Sequence, residues 1–174
     1  MSNPVPEKLI NFRVYLEGSI DLLGVADVEL PSLEAMTETV KGAGIAGEVD
    51  SPVLGHFGSM GVTLNWRTLT EKATTLAKQR AHALDLRGSV QVYNAASGEY
   101  KTTPIKLAIR GIPKTIGLGK FDVGTTSDSS VEFEVVYLKL WYDGVPRIEI
   151  DKFNYICVID EEDYLASVRE DLGL

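Results

Sequence analysis

The sequence predicts a mainly β domain, a β-sandwich or partial barrel, with one central helix and a short C-terminal helix. Three observations carry that prediction. From Ser59 to Arg67, the residues Met60, Val62, Leu64 and Trp66 alternate with Gly61, Thr63, Asn65 and Arg67, the period-two pattern of a strand with one packed face. Val131–Tyr142 is dense in β-branched and aromatic residues and runs into Asp143-Gly144, a strong two-residue hairpin signal leading to Val145–Asp151. Helical spacing is confined to two stretches, Thr68–Leu84 and Asp160–Gly173.

Taken in order, Phe12, Val14 and Leu16 alternate with Arg13, Tyr15 and Glu17 as a first strand ended by Gly18. Leu23–Leu30 reads as a second, closed by Pro31. Glu34–Lys41 and Ser59–Arg67 form a central pair joined by a Gly-rich loop, Gly42–Gly58. A connection of about seventeen residues is long for neighbouring strands, and such loops are functional or disordered. This one carries Ile45, Val49, Val53, Leu54, His56 and Phe57, too apolar for a disordered linker, so it is expected to order against another copy of the protein. Thr68 with Glu71 fits a capping box, and Leu69, Ala73, Leu76, Ala77 and Leu84 continue at helical spacing. Strands follow at Gly88–Tyr93 and, after a turn at Ser97-Gly98, at Tyr100–Ile112, which Pro113 is expected to end. Lys114–Ser130 reads as a polar, mobile loop. After the Asp143-Gly144 hairpin, Phe153–Ile159 is a final strand. Asp160 is then expected to cap a short helix carrying Tyr164, Leu165, Val168 and Leu172, with Gly173 at its end.

At 174 residues the chain is expected to form a single domain, residues 1–174, with a core large enough to fold unaided. A formal charge of −8 and a pI near 4.8 argue against gripping nucleic acid, which calls for a basic face. Nucleic acid that passes without being held is compatible with that charge. The single cysteine, Cys157, lies between Ile156 and Val158 and reads as an inert core thiol; one cysteine makes neither an internal disulfide nor a zinc cluster. Met1–Lys8 lacks the apolar core of a signal peptide, and no apolar run approaches membrane-spanning length, so synthesis in the cytoplasm without a cleaved signal is expected.

Catalytic and cofactor motifs are weak. Gly42-Ala43-Gly44-Ile45-Ala46-Gly47 matches GxGxxG, but that fingerprint works by opening a helix onto a pyrophosphate, and Glu48, Asp50 and Pro52 follow without helical periodicity. Gly117-Leu118-Gly119-Lys120 lacks the first glycine and the hydroxyl residue of a P-loop and reads as a turn. His56 and His82 are too few for a three-histidine metal site; His56 is expected in a loop or interface and His82 on a partly exposed helix face. No nucleophile elbow is present. Glu132 and Glu134 share one face of a strand, which a solvated polar face in an acidic protein explains without catalysis. No enzymatic activity, cofactor or metal is expected.

The central strands and Val131–Tyr142 each have one apolar face and an opposite face of Thr, Asn, Arg, Lys and Glu. Such a sheet packs one face and wets the other. Any free edges invite pairing, and neighbouring copies that continue the sheet into a closed ring remove them, leaving a bore lined by the polar face.

At these residues the chain resembles the FII-type major tail tube proteins of contractile phage tails and phage-tail-like bacteriocins, from about Leu9 to Leu174. The matching landmarks are Asn11–Gly18, Glu29-Leu30-Pro31-Ser32-Leu33, Lys41-Gly42-Ala43-Gly44, Trp66, Leu140–Asp151 with Asp143-Gly144 inside it, and Arg169–Leu174. The resemblance implies a tail-tube-like fold whose sheets join between subunits. It also implies hexameric rings that stack into a hollow tube inside a sheath, pierce the host envelope and pass DNA. Implied partners are further copies of the chain, the sheath protein, and baseplate and tail terminator proteins. The implied place is the virion, after assembly in the host cytoplasm.

The bore is then expected to be lined from Glu34–Lys41, Ser59–Arg67, Tyr100–Arg110 and Val131–Leu140, with Thr37, Thr39, Thr63, Asn65, Glu132 and Glu134 facing the lumen. Gly42, Gly44, Ile45, Val49, Val53, Leu54 and Phe57 are expected on the contact between subunits or rings. A type VI secretion-like tube protein and, more distantly, a ligand-binding β-barrel are the competing classes; the first predicts an effector-binding bore and the second a closed apolar cavity in a stable monomer.

Overall fold

In a computed structural model, which describes residues 2–174, strands dominate. Met1, the first residue of the stretch read above for a signal, lies outside the described residues. The elements are β1 Pro4–Leu16, β2 Ile20–Asp21, β3 Val25–Glu29, β4 Ala35–Lys41, β5 Glu48–Phe57, β6 Gly61–Trp66 and α1 Glu71–Thr75. They continue with β7 His82–Asn94, β8 Glu99–Gly117, β9 Ser129–Tyr142, β10 Val145–Asp151, β11 Ile156–Ile159, β12 Glu162–Asp163 and α2 Ala166–Leu172. All but β4 and β5 belong to one ten-stranded sheet, ordered β12-β11-β10-β9-β8-β7-β1-β2, with β6 and then β3 branching from β9; β4 and β5 pair only with each other.

The branch sets the architecture. Residues Ser129–Glu134 of β9 pair with β6, whereas Tyr137–Tyr142 of the same strand edge pair with β10. Between them the Val135 N–H donates to the Met60 carbonyl at 2.7 Å, and the Val136 carbonyl accepts from Lys152 N–H at 3.2 Å. Val136 is also skipped in the β8 register, where Arg110 faces Tyr137 and Gly111 faces Val135. A bulge bends a strand and raises its twist, so β9 passes from one layer into the other. The apolar faces of both layers meet in one cluster that includes Val14, Leu64, Trp66, Leu84, Ile109, Phe133 and Ile150. Alternation in β6 is complete: Met60, Val62, Leu64 and Trp66 are buried and Gly61, Thr63 and Asn65 are not. The sheet does not close into a barrel.

Several elements depart from their sequence-based expectation. Gly42–Gly58 is not a loop: only Gly42–Gly47 turns, and Glu48–Phe57 pairs with β4 as a hairpin. The expected helix over Thr68–Leu84 shrinks to Glu71–Thr75, capped by Thr70, whose Oγ1 accepts from Ala73 N–H at 3.2 Å, not by Thr68. Thr74 and Thr75 hydroxyls donate to the Glu71 carbonyl, a competing pattern common where a helix ends. From His82 the period is two, so Leu84 and Leu86 point into the core from β7, and His82 is fully buried rather than on a helix face. Pro113 does not end its strand; β8 continues to Gly117 on an edge where β7 has already stopped and no N–H is needed. Asp160 sits in a left-handed turn, and α2 begins at Ala166. Asp163, whose carboxylate takes hydrogen bonds from Leu165 N–H and Arg169, organises its start; the Arg169 hydrogen bond above all holds that carboxyl below its ordinary pKa. The Asp143-Gly144 turn and the Gly173 C-cap are as expected, with both turn residues at positive φ.

Candidate assembly surface

Two parts of the fold present chemistry that the chain does not use internally. The first is a four-stranded half-sheet, β3-β6-β9-β8, formed by Val25–Glu29, Gly61–Trp66, Ser129–Glu134 and Ile112–Gly117. Cross-strand partners share a face, and the pairs Asp27–Asn65, Glu29–Thr63, Thr63–Glu132 and Gly61–Glu134 put Asp27, Glu29, Thr63, Asn65, Glu132 and Glu134 on one side, opposite the core. Asn65 Nδ2 donates to Asp27 Oδ1 at 2.7 Å and Lys114 Nζ reaches Glu132 Oε1 at 3.2 Å. Glu134 accepts from Ser59 Oγ at 2.5 Å and Met60 N–H at 3.3 Å, with Lys152 Nζ at 3.6 Å. Partial burial pushes its pKa up, but those hydrogen bonds and the Lys152 and Lys114 charges outweigh it, and the carboxyl sits below its ordinary value. Four of the six expected lumen residues, Thr63, Asn65, Glu132 and Glu134, thus fall on one surface.

Asp27 and Glu29 join that surface without having been singled out from sequence, because a register shift between Val25 and Asp27 decides which way they face. Both outer edges of the half-sheet are free of strand partners: β3 pairs with β6 alone, and β7 stops opposite Gly111, before Ile112–Gly117. Beside β3, Leu9, Phe12, Val28, Leu30, Leu107 and Leu140 line an open apolar groove of about 340 Å³.

The second part is the β4–β5 hairpin. Thr37 and Thr39 share one face with Lys41, Asp50 and Glu48; Thr39 Oγ1 donates to Asp50 Oδ1 at 2.7 Å and Lys41 pairs with Glu48 at 3.4 Å. Met36, Val40 and Val49 lie on the opposite face, and they, Ile45, Val53 and Leu54 are all exposed. Gly42 and Gly44 shape the turn at positive φ. Phe57 differs from the other expected contact residues: it is half-buried against the core and anchors the hairpin. At the base, Val53–His56 bulges out opposite Met36, with His56 Nδ1 2.7 Å from the Leu54 carbonyl. Gly55, at φ +65, lies so close to Leu165 that a Cβ would stand 2.6 Å from its Cγ. Thr37 and Thr39 are therefore on a different element from the other four expected lumen residues.

Other motifs find structural roles. The GxGxxG stretch is the hairpin turn and opens a strand, not a helix. Cys157 is buried, and burial pushes its thiol pKa up, as an unreactive core thiol requires. Among the described residues no three His, Cys, Asp or Glu side chains gather as a metal site, and no helix is long and apolar enough to cross a membrane.

Comparison with known proteins gives a consistent result. The family model for phage tail tube protein FII matches residues 6–173. The tail tube protein of Escherichia phage P2 is 27% identical over 175 residues, covering 98% of this chain and 99% of its own. Among solved structures, the sheath/tube terminator of an extracellular contractile injection system, PVC, in its extended state, superposes with a TM-score of 0.55 at 14% identity, over 79% of this chain and 97% of the other. The sheath–tube complex of the same system gives a TM-score of 0.50 at 14% identity, over 79% and 90%. With a family model spanning nearly its whole length and a fold shared with contractile-system proteins, this chain belongs to the phage tail tube protein FII family.

Proposed function

We propose that this chain is the structural protein of the inner tube of a contractile injection machine, and that copies join by continuing the β3-β6-β9-β8 half-sheet from one to the next. The observation that carries the reading is the half-sheet itself: polar on one face, packed on the other, and free at both edges. Its neighbours are all antiparallel and even in number, so a copy related by rotation alone brings its β3 edge antiparallel to the β8 edge of the copy beside it. Repetition closes a ring without edges. Six copies make about 24 strands, and at about 4.8 Å per strand the backbone circle is about 37 Å across before tilt, which leaves a bore after the lining side chains are subtracted.

In that ring Asp27, Glu29, Thr63, Asn65, Glu132 and Glu134 line the lumen, and Thr37 and Thr39 extend the lining along the hairpin. Ile112–Gly117 is the part of β8 that contributes; Tyr100–Arg110 pairs with β7, and its Ile105–Arg110 portion with the far half of β9, so it belongs to the outer layer. A carboxylate-rich bore suits a conduit for DNA, because Lys and Arg would hold phosphates by counterion release. The apolar hairpin face with Val40 and Val49, together with Ile45 in the turn and Val53 and Leu54 in the bulge, is the assembly surface between subunits. Sheath, baseplate and terminator proteins are the further partners, and the virion or a tail-like particle is the place of action.

Negative-stain microscopy with sedimentation tests the assembly: hollow rings or tubes of uniform diameter are expected, and a monomer that added sheath and baseplate also fail to recruit overturns it. Glu29→Lys with Glu132→Lys is expected to keep tubes intact and slow DNA passage; undiminished infectivity of a phage carrying both would remove the acidic-lumen assignment.

A further inference from the structure

The loop between β8 and β9, Leu118–Asp128, is the part of Lys114–Ser130, the stretch whose sequence reads as polar and mobile, that lies outside the strands. Its base is fastened and its tip is apolar. Lys120 N–H donates to the Ser127 carbonyl at 2.8 Å, and Ser127 N–H to the Arg67 carbonyl at 2.8 Å. Thr68 Oγ1 and Ser127 Oγ are 3.2 Å apart, and Thr125 closes the tip with hydrogen bonds from both N–H and hydroxyl to the Asp122 carbonyl. Gly119, at φ +80, passes so close to Ser127 that a Cβ would stand 2.0 Å from its carbonyl oxygen, so the two sides of the loop touch. On this closed base Phe121 is 98% exposed and Val123 fully exposed, with Leu118 also largely exposed. A fastened loop that holds an aromatic and a β-branched side chain in water marks a contact surface.

We propose that this loop, through Phe121 and Val123, is the seat for the β4–β5 hairpin of the next copy along the tube. The inference rests on the tube reading above and names the surface that receives the hairpin. Topology supplies the direction. The hairpin is inserted between the end of β3 and the start of β6, whereas the loop joins the end of β8 to the start of β9 and is tied to the residue after β6. The two therefore project from opposite ends of the same four strands. Strands of about six residues hold those ends about 20 Å apart, so the loop does not cover its own hairpin. Two uncovered apolar elements at opposite ends of one unit satisfy each other when units stack head to tail, and such a heterologous contact grows without limit along an axis.

Two variants test it in the full-length chain. Phe121→Asp touches no core residue, and is expected to leave rings intact while raising the concentration needed for stacked tubes at least about tenfold. The pair Val49→Cys and Val123→Cys is expected, on oxidation of assembled tubes, to give a covalent ladder longer than the number of copies in one ring; the native Cys157 is buried and stays silent. Tubes of normal length and yield from Phe121→Asp overturn the proposal, as does loss of sheath binding alone with normal tubes, which would place the loop on the outer surface. Tubes of the cysteine pair that yield no ladder also overturn it. If the unmodified chain forms no rings even with sheath and baseplate added, the tube reading itself fails and this inference falls with it, a result distinct from rings that form but do not use the loop.

Discussion

Strand β6 and the β4–β5 hairpin are separated only by Gly58, Ser59 and Met60, and they differ in where their apolar side chains go. Val62 and Leu64 of β6 are fully buried between two layers of the same chain. Met36, Val40 and Val49 of the hairpin are exposed, and every residue of β4 is solvent-facing. An isolated two-stranded hairpin is marginal in water, and this one is held at its base by Phe57 against the core and Gly55 against Leu165. The contrast is one of use: β6 spends its apolar side chains on the core of its own chain, and the hairpin leaves Met36, Val40 and Val49 uncovered, the surface proposed above for contact with further copies.

The sharpest way to break that comparison is to damage each side and ask what fails. Phe133→Ala empties the centre of the core and is expected to cost about 3–5 kcal/mol, lowering Tm by about 10 °C in thermal unfolding of the monomer. Val40→Ser with Val49→Ser should leave monomer stability within about 0.5 kcal/mol, but weaken association by about 3 kcal/mol, about a hundredfold in the threshold for tube formation by sedimentation. A hairpin variant that unfolds the monomer would erase the distinction.

Gly55→Ala probes the hinge between the regions. It combines a left-handed φ with a clash against Leu165 and is expected to cost about 2 kcal/mol in urea unfolding. A double-mutant cycle with Leu165→Ala should recover the steric part but not the backbone part.

The smallest effect belongs to Glu134. Its folded pKa lies below the ordinary glutamate value of 4.5, so it favours the folded state above about pH 4.5, and that contribution disappears as pH falls through the folded pKa. Urea titrations of the native chain and Glu134→Gln should therefore differ at pH 7 and converge in strong acid. A difference that grows on acidification would mean that the Ser59, Met60 and Lys152 contacts do not set the carboxyl's state.

What was legible in the chain itself followed from interactions a few residues apart. Alternation placed β6 and its faces correctly, and with them Thr63 and Asn65; Asp143-Gly144 placed the β9–β10 hairpin; Gly173 placed the end of α2. Period two also put Glu132 and Glu134 on one face. The same local rules misled where two periods fit: Leu84 suits a helical stripe counted from Leu76 and Ala77, but belongs to the alternation that starts at His82. A Gly-rich segment read as loop because nothing local reveals that Glu48–Phe57 has β4 as a partner.

By itself the sequence determined that this is an acidic β protein with one strand whose two faces differ in kind, and its landmarks led to its family. The tertiary structure alone decided that β9 forks at Val135–Val136 between two layers, that Asp27 and Glu29 join the polar face, and that β3 and the end of β8 are left as matching free edges. Side-chain alternation is a property of neighbouring residues and can be read from them. Register, bulges and edges are set by the meeting of segments far apart in the chain, where burying Phe133 and Trp66 in one shared core outweighs any local preference.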